Sequence, residues 1–413
     1  MNLLDFGYLT AAALVGAGAR SCLSALPEGW QVRLAAEAPD LPAHRWVWVH
    51  AVSVGELMLA EGLLGRMVQS GKRVHVTTGT PAGLSLLAQK LPQWDGGSGL
   101  VSGGAFPLDD PEGLRPFLRQ PPGAFVALET ELWPGLMRAL DGLQIPRLIV
   151  NGRVTERTVR RGGRLLRRAA SRLTLVAARD EASAAAFRHL GASRVELGGN
   201  LKADLPAPRT LSSAWDGLRA GWAQVPILVA GNTVEGEEAL ILAAWHSARA
   251  ASPGLRLILA PRQPRRFEAV ATLLGEAGIP FTRASQPWPG ADRWGNLQVL
   301  LLDTLGDLAA AYAEGTVALV GGGWLHGGGH NPLEPVRAGV PTLLGPGFAN
   351  FEDLVPPLEA AGLIQVVSSE ELNRILLANI LKPPLRPAGS PALPPALVGA
   401  LDRTWRLINP YLP

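Results

Sequence analysis

The sequence predicts an α/β protein of two domains, each built around a doubly wound parallel sheet. Its 413 residues, 47% of them hydrophobic, exceed what one typical domain needs. Short apolar runs, each followed by a turn and a helical pattern, recur along both halves and indicate parallel strands joined by helices. The pattern stops at the proline-rich turn Leu205 to Pro208 and restarts at Ile227. We therefore place the domain boundary between these two points.

Four strand and helix pairs are predicted in the first half. The first is the apolar run Trp46 to Val49, a turn at Ser53 to Gly55 and a helix from Glu56 to about Gln69. The other three strands cover residues 74–77, 125–128 and 148–150. Ligands of such sheets bind at the carboxyl ends of the strands.

The second half repeats the scheme with five apolar strands. They cover residues 227–230, 257–260, 299–302, 317–320 and 342–344. The proline-rich segment Lys382 to Pro395 predicts a connector that no helix would tolerate. A final amphipathic stretch to about Ile408 is expected to pack back on either domain. The predicted divisions are an N-terminal segment 1–20, a first lobe 21–205, a linker 206–225, a second lobe 226–395 and a C-terminal helix 396–413.

Composition excludes several classes of protein. Cys22 is the sole cysteine, so an internal disulfide framework and a thiolate metal cluster are excluded, and a reducing cytoplasm fits. Charged residues make up 18%, and 48 glycines and 35 prolines are scattered along the chain, which argues against disorder or a fibrous repeat.

Basic residues are unevenly distributed although the formal net charge is only +3. Eight arginines crowd one stretch: Arg153, Arg157, Arg160, Arg161, Arg164, Arg167, Arg168 and Arg172. They suit anionic lipid headgroups or a phosphorylated substrate, and equally a solvated helix face. Nucleic acid is the least favoured partner, because aromatic residues are not interleaved with the arginines and no reader motif appears.

The N-terminal apolar stretch, about Leu3 to Ala19, lacks a basic region before it and a cleavage pattern after it. It is therefore not a convincing signal peptide. A bilayer-spanning helix needs about 20 mostly apolar residues, so this segment is marginal as an anchor. It predicts a helix lying on a membrane surface or on a partner, or one buried in the fold.

The glycine-rich segment from Val320 to Pro335 carries the densest chemical signal. It predicts a strand, a glycine loop with Gly322 and Gly323, and a helix start capped by Asn331. Backbone N–H groups of such a loop can approach a phosphate, and Glu334 can accept hydrogen bonds from ribose hydroxyls. The spacing fits neither the dinucleotide fingerprint nor a P-loop. A nucleotide-sugar pocket is the favoured interpretation, and a structural turn is the alternative.

A metal site in this loop is not expected. His326, His330 and Glu334 are spaced at intervals of four residues, but the glycines place His326 on a loop and no further His or Cys lies nearby. Zinc is discounted on these grounds. The sequence suggests no cofactor.

Glu56 follows the first predicted strand, among the small residues Ser53 and Gly55. A carboxylate there is well placed to take the proton from an attacking sugar hydroxyl, so Glu56 is the candidate general base. The alternative is a first-turn glutamate that complements the helix dipole.

Two more carboxylates, Glu129 and Glu131, follow the third strand. They share a face if the strand continues, and they part if a turn begins at Thr130. Glu129 can position sugar hydroxyls, and Glu131 can cap the helix that opens near Trp133. A structural role for both remains open.

Basic residues follow two other strands. Arg262 lies after the strand 257–260, and Lys202 lies in the segment from Gly198 to Asp204. Either side chain can neutralise the charge of a phosphate or a carboxylate.

These segments, in this order, resemble the 3-deoxy-D-manno-octulosonic acid (Kdo) transferase family over nearly the whole chain. One such match would be weak, but the ordered set is specific. The matching stretches are His50 to Glu56, Thr77 to Pro81, Glu129 to Pro134, Asn151 to Arg153, Gly199 to Lys202, Asp303 to Leu308, Gly328 to Pro335 and Asn350 to Phe351.

The resemblance implies a metal-independent, inverting glycosyltransferase of GT-B architecture with an interlobe cleft. It implies a CMP-activated sugar as donor, a lipid A precursor as acceptor, and attachment to the anionic cytoplasmic face of the membrane. The first lobe would bind the acceptor and the second the nucleotide sugar. The catalytic glutamate falls on Glu56. The donor-site arginine falls on Arg262, the Asn and Glu of the nucleotide loop on Asn331 and Glu334, and the characteristic lysine on Lys202. The full predicted donor site adds Gly231, Asn232, Gly322, Gly323 and His330, and Ser53, Gly55, Glu129 and Lys202 are predicted to position the acceptor or the sugar.

Two positions depart from the family pattern, since Val234 and Gln263 stand where histidines are typical. They motivate two alternatives. One is an enzyme of the same architecture that uses another nucleotide sugar, such as a UDP-sugar transferase or epimerase. The other is a non-catalytic protein that binds envelope lipid.

Overall fold

The computed structural model describes residues 3–154, 156–205, 215–288, 291–383 and 390–413. Within them the chain forms two compact units. Residues up to Leu205 and the terminal stretch Val398–Pro413 belong to the first unit, and residues 215 to Leu397 belong to the second. The linker expectation falls partly on residues 206–214, and the connector expectation partly on residues 384–389, which lie outside the described residues.

The first unit is a seven-stranded sheet in which every strand is parallel to its neighbours. The strand order is β3-β2-β1-β4-β5-β6-β7. The strands are β1 Trp46–His50, β2 Arg73–Thr78, β3 Val101–Ala105, β4 Ala124–Leu128, β5 Arg147–Gly152, β6 Leu175–Ala178 and β7 Val195–Leu197. The predicted strands correspond to β1, β2, β4 and β5, which confirms them.

Helices cover the faces of this sheet. They are α1 Leu3–Ser21, α2 Glu28–Leu34, α3 Val54–Gln69, α4 Pro81–Asp95, α5 Pro111–Arg119, α6 Pro134–Gly142, α7 Glu156–Ala170 and α8 Glu181–His189. Because β1 is buried on both faces, its side chains enter two different cores. Trp46 and Trp48 join one core, where Trp48 stacks on Phe117 at 4.7 Å, and Val47 and Val49 join the other.

The second unit is also a seven-stranded parallel sheet, ordered β10-β11-β9-β8-β12-β13-β14. The strands are β8 Ile227–Thr233, β9 Arg256–Pro261, β10 Phe281–Arg283, β11 Val299–Leu301, β12 Val317–Val320, β13 Thr342–Leu344 and β14 Ile364–Val366. The five predicted strands correspond to β8, β9, β11, β12 and β13, which confirms them.

The helices of the second unit are α9 Asp216–Gly221, α10 Glu237–Ala251, α11 Phe267–Glu276, α12 Ala291–Trp294, α13 Leu308–Glu314, α14 Leu333–Arg337, α15 Val355–Ala360 and α16 Leu372–Leu381.

The terminal helix α17, Ala400–Ile408, packs on the first unit. Its buried residues Ala400 and Ile408 join the core that contains Val47 and Val49. The carboxylate of Asp204 accepts hydrogen bonds from the backbone N–H groups of Gly399 and Leu401, at 2.8 and 2.6 Å. These contacts satisfy N–H groups at the start of α17 that have no partner inside the helix.

The N-terminal helix α1 packs on α5 and α6. The Tyr8 hydroxyl donates a hydrogen bond to Oδ2 of Asp109 at 2.7 Å, and Arg20 forms an ion pair with Asp110 at 2.8 Å. Leu14 and Val15 remain 70% and 56% exposed. Among the described helices, none combines the length and apolar character needed to cross a bilayer.

Candidate functional site

The first unit has its topological switch point between β1 and β4. These strands are neighbours, and the chain runs outward from them in opposite directions to β3 and β7. Ligands of doubly wound sheets bind in the crevice at this point, beyond the carboxyl ends of the strands. Glu56 follows β1 and Glu129 follows β4, so the topology brings two of the predicted site residues to this position.

Glu56 lies in the first turn of α3 and is largely buried, with 9% of its surface exposed. Its Oε2 accepts a hydrogen bond from the backbone N–H of Val52 at 2.9 Å, and its Oε1 accepts one from the Ser53 hydroxyl at 3.1 Å. The Ser53 hydroxyl in turn accepts from the backbone N–H of Glu56 at 3.4 Å. This reciprocal arrangement is a variant of the capping box, and the first-turn position of Glu56 is also the one that the helix-dipole alternative requires.

The same carboxyl group is also suited to proton transfer. Burial raises its pKa to about 7, the negative charges of Glu129 and Glu131 act in the same direction, and the hydrogen bonds from Val52 and Ser53 oppose them. A carboxyl group with a pKa close to neutral can accept a proton and release it again near pH 7.

Glu129 and Glu131 do not lie on one strand face, because β4 ends at Leu128, before both residues. Glu129 has φ +55°, a left-handed conformation that costs free energy in a residue other than glycine. The alternative in which both carboxylates share a strand face is therefore wrong. Glu131 lies beside His50, with 3.7 Å between Oε2 and Nε2.

The expectation that Glu131 caps the helix near Trp133 is also wrong. That helix, α6, takes its capping carboxylate from Asp109, which follows β3. The two oxygens of Asp109 accept from the N–H groups of Gly135 and Leu136, at 2.8 and 2.6 Å. Sequence reasoning missed Asp109 because it lies 26 positions before the N–H group of Gly135.

His50 is a second residue that sequence reasoning did not assign. It is fully buried, stacks on Phe106 with 3.8 Å between ring centroids, and has Nδ1 3.0 Å from the carbonyl oxygen of Thr77. Burial lowers its pKa, and the charge of Glu131 opposes that shift. The sequence could have indicated His50 as a site residue, because it is a titratable side chain at the end of the apolar strand β1.

Lys202 is carried by the turn that follows β7. The amide oxygen of Asn151, at the end of β5, accepts from the backbone N–H of Leu201 at 2.9 Å. The amide oxygen of Asn200 accepts from the N–H of Lys202 at 3.0 Å. Asn151 has φ +51°, a strained backbone conformation at the end of β5. It anchors the turn that follows β7, although β5 lies two strands away from β7 in the sheet.

The second unit has its switch point between β8 and β12. Gly231 and Asn232 lie at the end of β8, and the glycine loop with Gly322 and Gly323 follows β12. Arg262 follows β9, the other neighbour of β8, and its backbone N–H donates to the carbonyl oxygen of Thr233 at 2.9 Å. The topology thus gathers the predicted donor-binding segments at one edge of the sheet.

The backbone of the glycine loop is not arranged as the sequence suggested. The N–H groups of Gly322 and Trp324 donate to the carboxylate of Glu237, at 2.7 and 3.0 Å, and the N–H of Gly321 donates to the carbonyl oxygen of Gly231. The expectation of a free N–H cradle for a phosphate is therefore wrong at Gly322, because a side chain of the protein already occupies that N–H group.

Asn331 and Glu334 form a pair at the start of α14. The Asn331 amide donates to Glu334 Oε1 at 3.3 Å, and its oxygen accepts from the N–H of Leu333 at 3.2 Å. The N-cap residue of this helix is Pro332, so the expectation that Asn331 is the cap is wrong by one position, although Asn331 still accepts from the first N–H group of the helix. His330 is half-buried, and its Nε2 has no hydrogen-bond partner among the described residues.

Burial, aided by the positive charge of Arg262, lowers the pKa of His330 to about 4. The imidazole is therefore neutral at pH 7 and can accept or donate a hydrogen bond. Within the part of the chain that the structure describes, no three His, Cys, Asp or Glu side chains gather as a metal site would require.

The two-unit α/β architecture is shared with enzymes that act on sugar nucleotides. A solved UDP-N-acetylglucosamine 2-epimerase superposes with a TM-score of 0.58 and 13% identity, over 90% of this chain and 97% of that one. The UDP-GlcNAc 2-epimerase from Neisseria meningitidis gives 0.54 and 12%, over 88% and 98%. At such low identity these similarities show the fold alone, which is of the GT-B type.

Sequence comparison defines the family. A family model described as 3-deoxy-D-manno-octulosonic-acid transferase matches residues 28–205. The chain is 33% identical to the 3-deoxy-D-manno-octulosonic acid transferase of Haemophilus influenzae, over 90% of this chain and 88% of that protein. It is 34% identical to that of Bordetella pertussis, over 80% and 78%. The protein is a glycosyltransferase, and it belongs to the Kdo transferase family.

Proposed function

We propose that this glycosyltransferase moves Kdo from CMP-Kdo to a lipid A precursor, by direct displacement with inversion and without a metal ion. The observation that supports this most strongly is Glu56, a buried carboxyl group at the switch point of the first sheet with a pKa of about 7. A sugar hydroxyl is a weak nucleophile unless a base takes its proton as it attacks.

In the proposed step, Glu56 accepts the proton of an acceptor hydroxyl as the hydroxyl oxygen forms a bond to the anomeric carbon of Kdo. The bond from that carbon to the phosphate oxygen breaks, and CMP departs with the electron pair. Ser53 and Val52 hold the carboxyl group in place through their hydrogen bonds. At Gly55, next to Glu56 in the first turn of α3, an added Cβ would have only the Ser53 hydroxyl oxygen within 4 Å, so we assign this open position to the acceptor.

The second unit would bind the donor. Arg262 is exposed, and we assign its guanidinium to the phosphate of CMP, whose charge increases as the sugar leaves. The paired Asn331 and Glu334 would bind the ribose hydroxyls, and neutral His330 would offer Nε2 to the nucleotide or the sugar. The remaining donor-binding residues are the backbone segments Gly231 and Asn232 at the end of β8 and Gly323 in the glycine loop; Gly322 is left out because its N–H donates to Glu237.

Two side chains of the first unit would position acidic or hydroxyl groups of the substrates. Lys202 carries a positive charge on a turn that Asn151 anchors, so it suits the carboxylate of Kdo or a phosphate of the lipid. Glu129, held in a strained conformation at the end of β4, suits sugar hydroxyls.

Membrane attachment would bring the enzyme to its lipid. Leu14 and Val15 present an exposed apolar surface on α1, and α1 packs on α6, which also contacts the arginine-rich helix α7. Exposed apolar side chains on a helix and clustered arginines are two features by which proteins bind anionic lipid bilayers. We assign the protein to the cytoplasmic face of the membrane, the location that the resemblance to the family implies.

The experiment is release of CMP from CMP-Kdo in the presence of a lipid A precursor, comparing the protein with its Glu56→Gln variant and a Glu61→Gln control. Glu61 lies on the same helix and pairs with Lys90 at 3.4 Å. We expect lipid-dependent release that the Glu56 variant loses by a factor of about 10² to 10⁴ and the control retains. CMP binding without release by any of the three proteins would contradict the proposal and favour a non-catalytic protein or a different donor.

A further inference from the structure

Glu237 is a fully buried carboxylate that no part of the proposed chemistry uses. It opens helix α10, and its exposed fraction is 0%. Oε2 accepts from the N–H of Gly322 at 2.7 Å and from that of Val234 at 3.3 Å, and Oε1 accepts from the N–H of Trp324 at 3.0 Å. Two of these donors belong to the glycine loop, 85 and 87 positions away along the chain.

The loop has the geometry of an anion site. Gly322 holds φ +86°, a left-handed conformation between residues with ordinary backbone angles, and such turns aim neighbouring N–H groups at one point. In this structure the point is occupied by the Glu237 carboxylate. A side chain at Gly321 would bring its Cβ within 2.8 Å of Glu237 Oε2, so the glycine permits the close approach.

The loop also supports one of the donor-binding side chains. A Cβ added to Gly322 would lie 2.7 Å from Cδ2 of His330, which shows that the imidazole packs directly against the loop backbone. The N–H of Gly329 donates to the carbonyl oxygen of Gly322 at 2.9 Å. The conformation at Gly322 therefore determines where His330 lies, and Asn331 follows it in the chain.

We propose that Glu237 is a positioning residue for donor binding: its carboxylate fills the anion site of the glycine loop and holds the loop in the conformation that presents His330, Asn331 and Glu334. The charge of the donor phosphate is then left to side chains such as Arg262. This inference rests on the proposed use of a CMP-activated donor.

Two neighbouring glutamates provide matched controls. Glu238 is equally buried, with 1% of its surface exposed, but it pairs with Arg266 at 3.0 Å and accepts from the Thr233 hydroxyl at 3.1 Å instead of contacting the loop. The side chain of Glu235 is 86% exposed. Substitution of either Glu237 or Glu238 by glutamine removes a buried carboxylate and disturbs its hydrogen bonds. Only Glu237 contacts the N–H groups of the glycine loop, so an effect specific to that contact appears only in its variant.

The test is calorimetric CMP affinity, together with the KM for donor and for acceptor, in Glu237→Gln, Glu238→Gln and Glu235→Gln. Glutamine places an N–H donor where Glu237 has an acceptor, so one loop N–H loses its partner. We expect CMP affinity to fall at least tenfold and donor KM to rise, with acceptor KM within twofold of the parent. Glu235→Gln should match the parent, and the melting temperature reports the stability of every variant.

A folded Glu237→Gln variant with the affinity and donor KM of the parent would overturn the inference, even if its melting temperature were lower. So would an equal loss of affinity in Glu238→Gln. In Glu237→Ala, added formate should restore part of the CMP affinity by filling the vacated anion site, whereas chloride at equal ionic strength should not. A parent protein that binds no CMP would instead contradict the proposed donor.

Discussion

The imidazole of His50 has Nε2 3.7 Å from Oε2 of Glu131, inside a part of the first unit where His50 is fully buried. Burial lowers the pKa of His50 despite that neighbour, so the imidazole is neutral at pH 7 and does not cancel the charge of Glu131. Glu131 and Glu129 therefore both act on Glu56. Together with burial, which is the larger cause, they raise its pKa to about 7.

A pH dependence follows from this arrangement. Glu56 acts as a base only when deprotonated, so kcat/KM should fall as pH decreases through about 7. Glu129→Gln removes one of the negative charges that raise this pKa, so its acidic limb should move to lower pH. The measurement is the pH profile of kcat/KM between pH 5 and 9.

The control for this profile is Glu61→Gln, which removes a charge from the same helix at a residue paired with Lys90. Its acidic limb should coincide with that of the parent. A limb that does not move in Glu129→Gln, or that moves to higher pH, would show that Glu129 does not act on the base through its charge.

Replacing Glu56 by glutamine should abolish activity but increase the free energy of unfolding. A carboxyl group whose pKa rises from 4.5 to about 7 on folding binds more protons in the folded state, so its contribution to stability declines as pH rises through that interval. Glu56→Gln cannot ionise and keeps one acceptor for the N–H of Val52. Above pH 7.5 we expect this inactive variant to be more stable than the parent, by on the order of 1–3 kcal/mol.

Urea denaturation at pH 5 and pH 8 measures this difference. At pH 5 the parent carboxyl group is mostly protonated in the folded state, so the advantage of the variant should shrink. A variant that is less stable than the parent at pH 8 would mean that the capping hydrogen bonds of Glu56 outweigh the cost of burying its charge.

The central strands were predictable because each is a continuous apolar run, as in β1, β4, β8 and β12. Four of the five strands missed in the sequence differ in composition or position, and the edge strand β7 is one of them. β3 reads Val-Ser-Gly-Gly-Ala, and β10 and β14 are sheet edges with polar residues such as Arg283 and Gln365. An edge strand covers less of the core, so its apolar pattern is weaker. β6 is apolar, and sequence analysis did not assign it.

The site was predictable where chemistry is local in sequence, as in the turn that carries Ser53 and Glu56. Contacts that only the tertiary fold creates were not. Glu237 meets the loop 85 positions away, and Asp109 meets α6 across a strand and a helix. Neither partner can be identified from spacing, because parallel sheets join segments that lie far apart in sequence.

Asp109 also anchors the N-terminal helix, which gives a prediction about stability. It accepts from Tyr8 at 2.7 Å and from the N–H groups of Gly135 and Leu136. Tyr8→Phe removes one bond and should cost about 1 kcal/mol, whereas Asp109→Ala leaves buried N–H groups without a partner and should cost about 2–4 kcal/mol.

Urea denaturation gives both values, and limited proteolysis reports whether α1 has loosened. Tyr411→Phe is the control, because its hydroxyl contacts Arg194 at an exposed position and should contribute less than about 0.5 kcal/mol. Equal effects of Tyr8→Phe and Tyr411→Phe would show that the bond to Asp109 does not hold α1 in place.

Gly231 lies at the switch point of the second sheet, where a larger residue should destabilise the protein. A Cβ at this position would lie 2.1 Å from the hydroxyl oxygen of Tyr312 and 2.7 Å from its Cζ. Tyr312 is fully buried in α13 and cannot move away without disturbing the core around it. Gly231→Ala should therefore destabilise the protein by about 1–3 kcal/mol.

Removing the hydroxyl oxygen should relieve part of this cost, so the double variant Gly231→Ala/Tyr312→Phe should lose less than the sum of the two single variants, by at least about 0.5 kcal/mol. Gly275→Ala is the matched control, since Gly275 lies in α11 with no atom within 4 Å of an added Cβ. There alanine should be neutral or stabilise the helix by up to about 1 kcal/mol. Strict additivity at positions 231 and 312 in a urea-denaturation cycle would mean that the backbone of β8 shifts instead, and that Tyr312 is not the group that requires glycine.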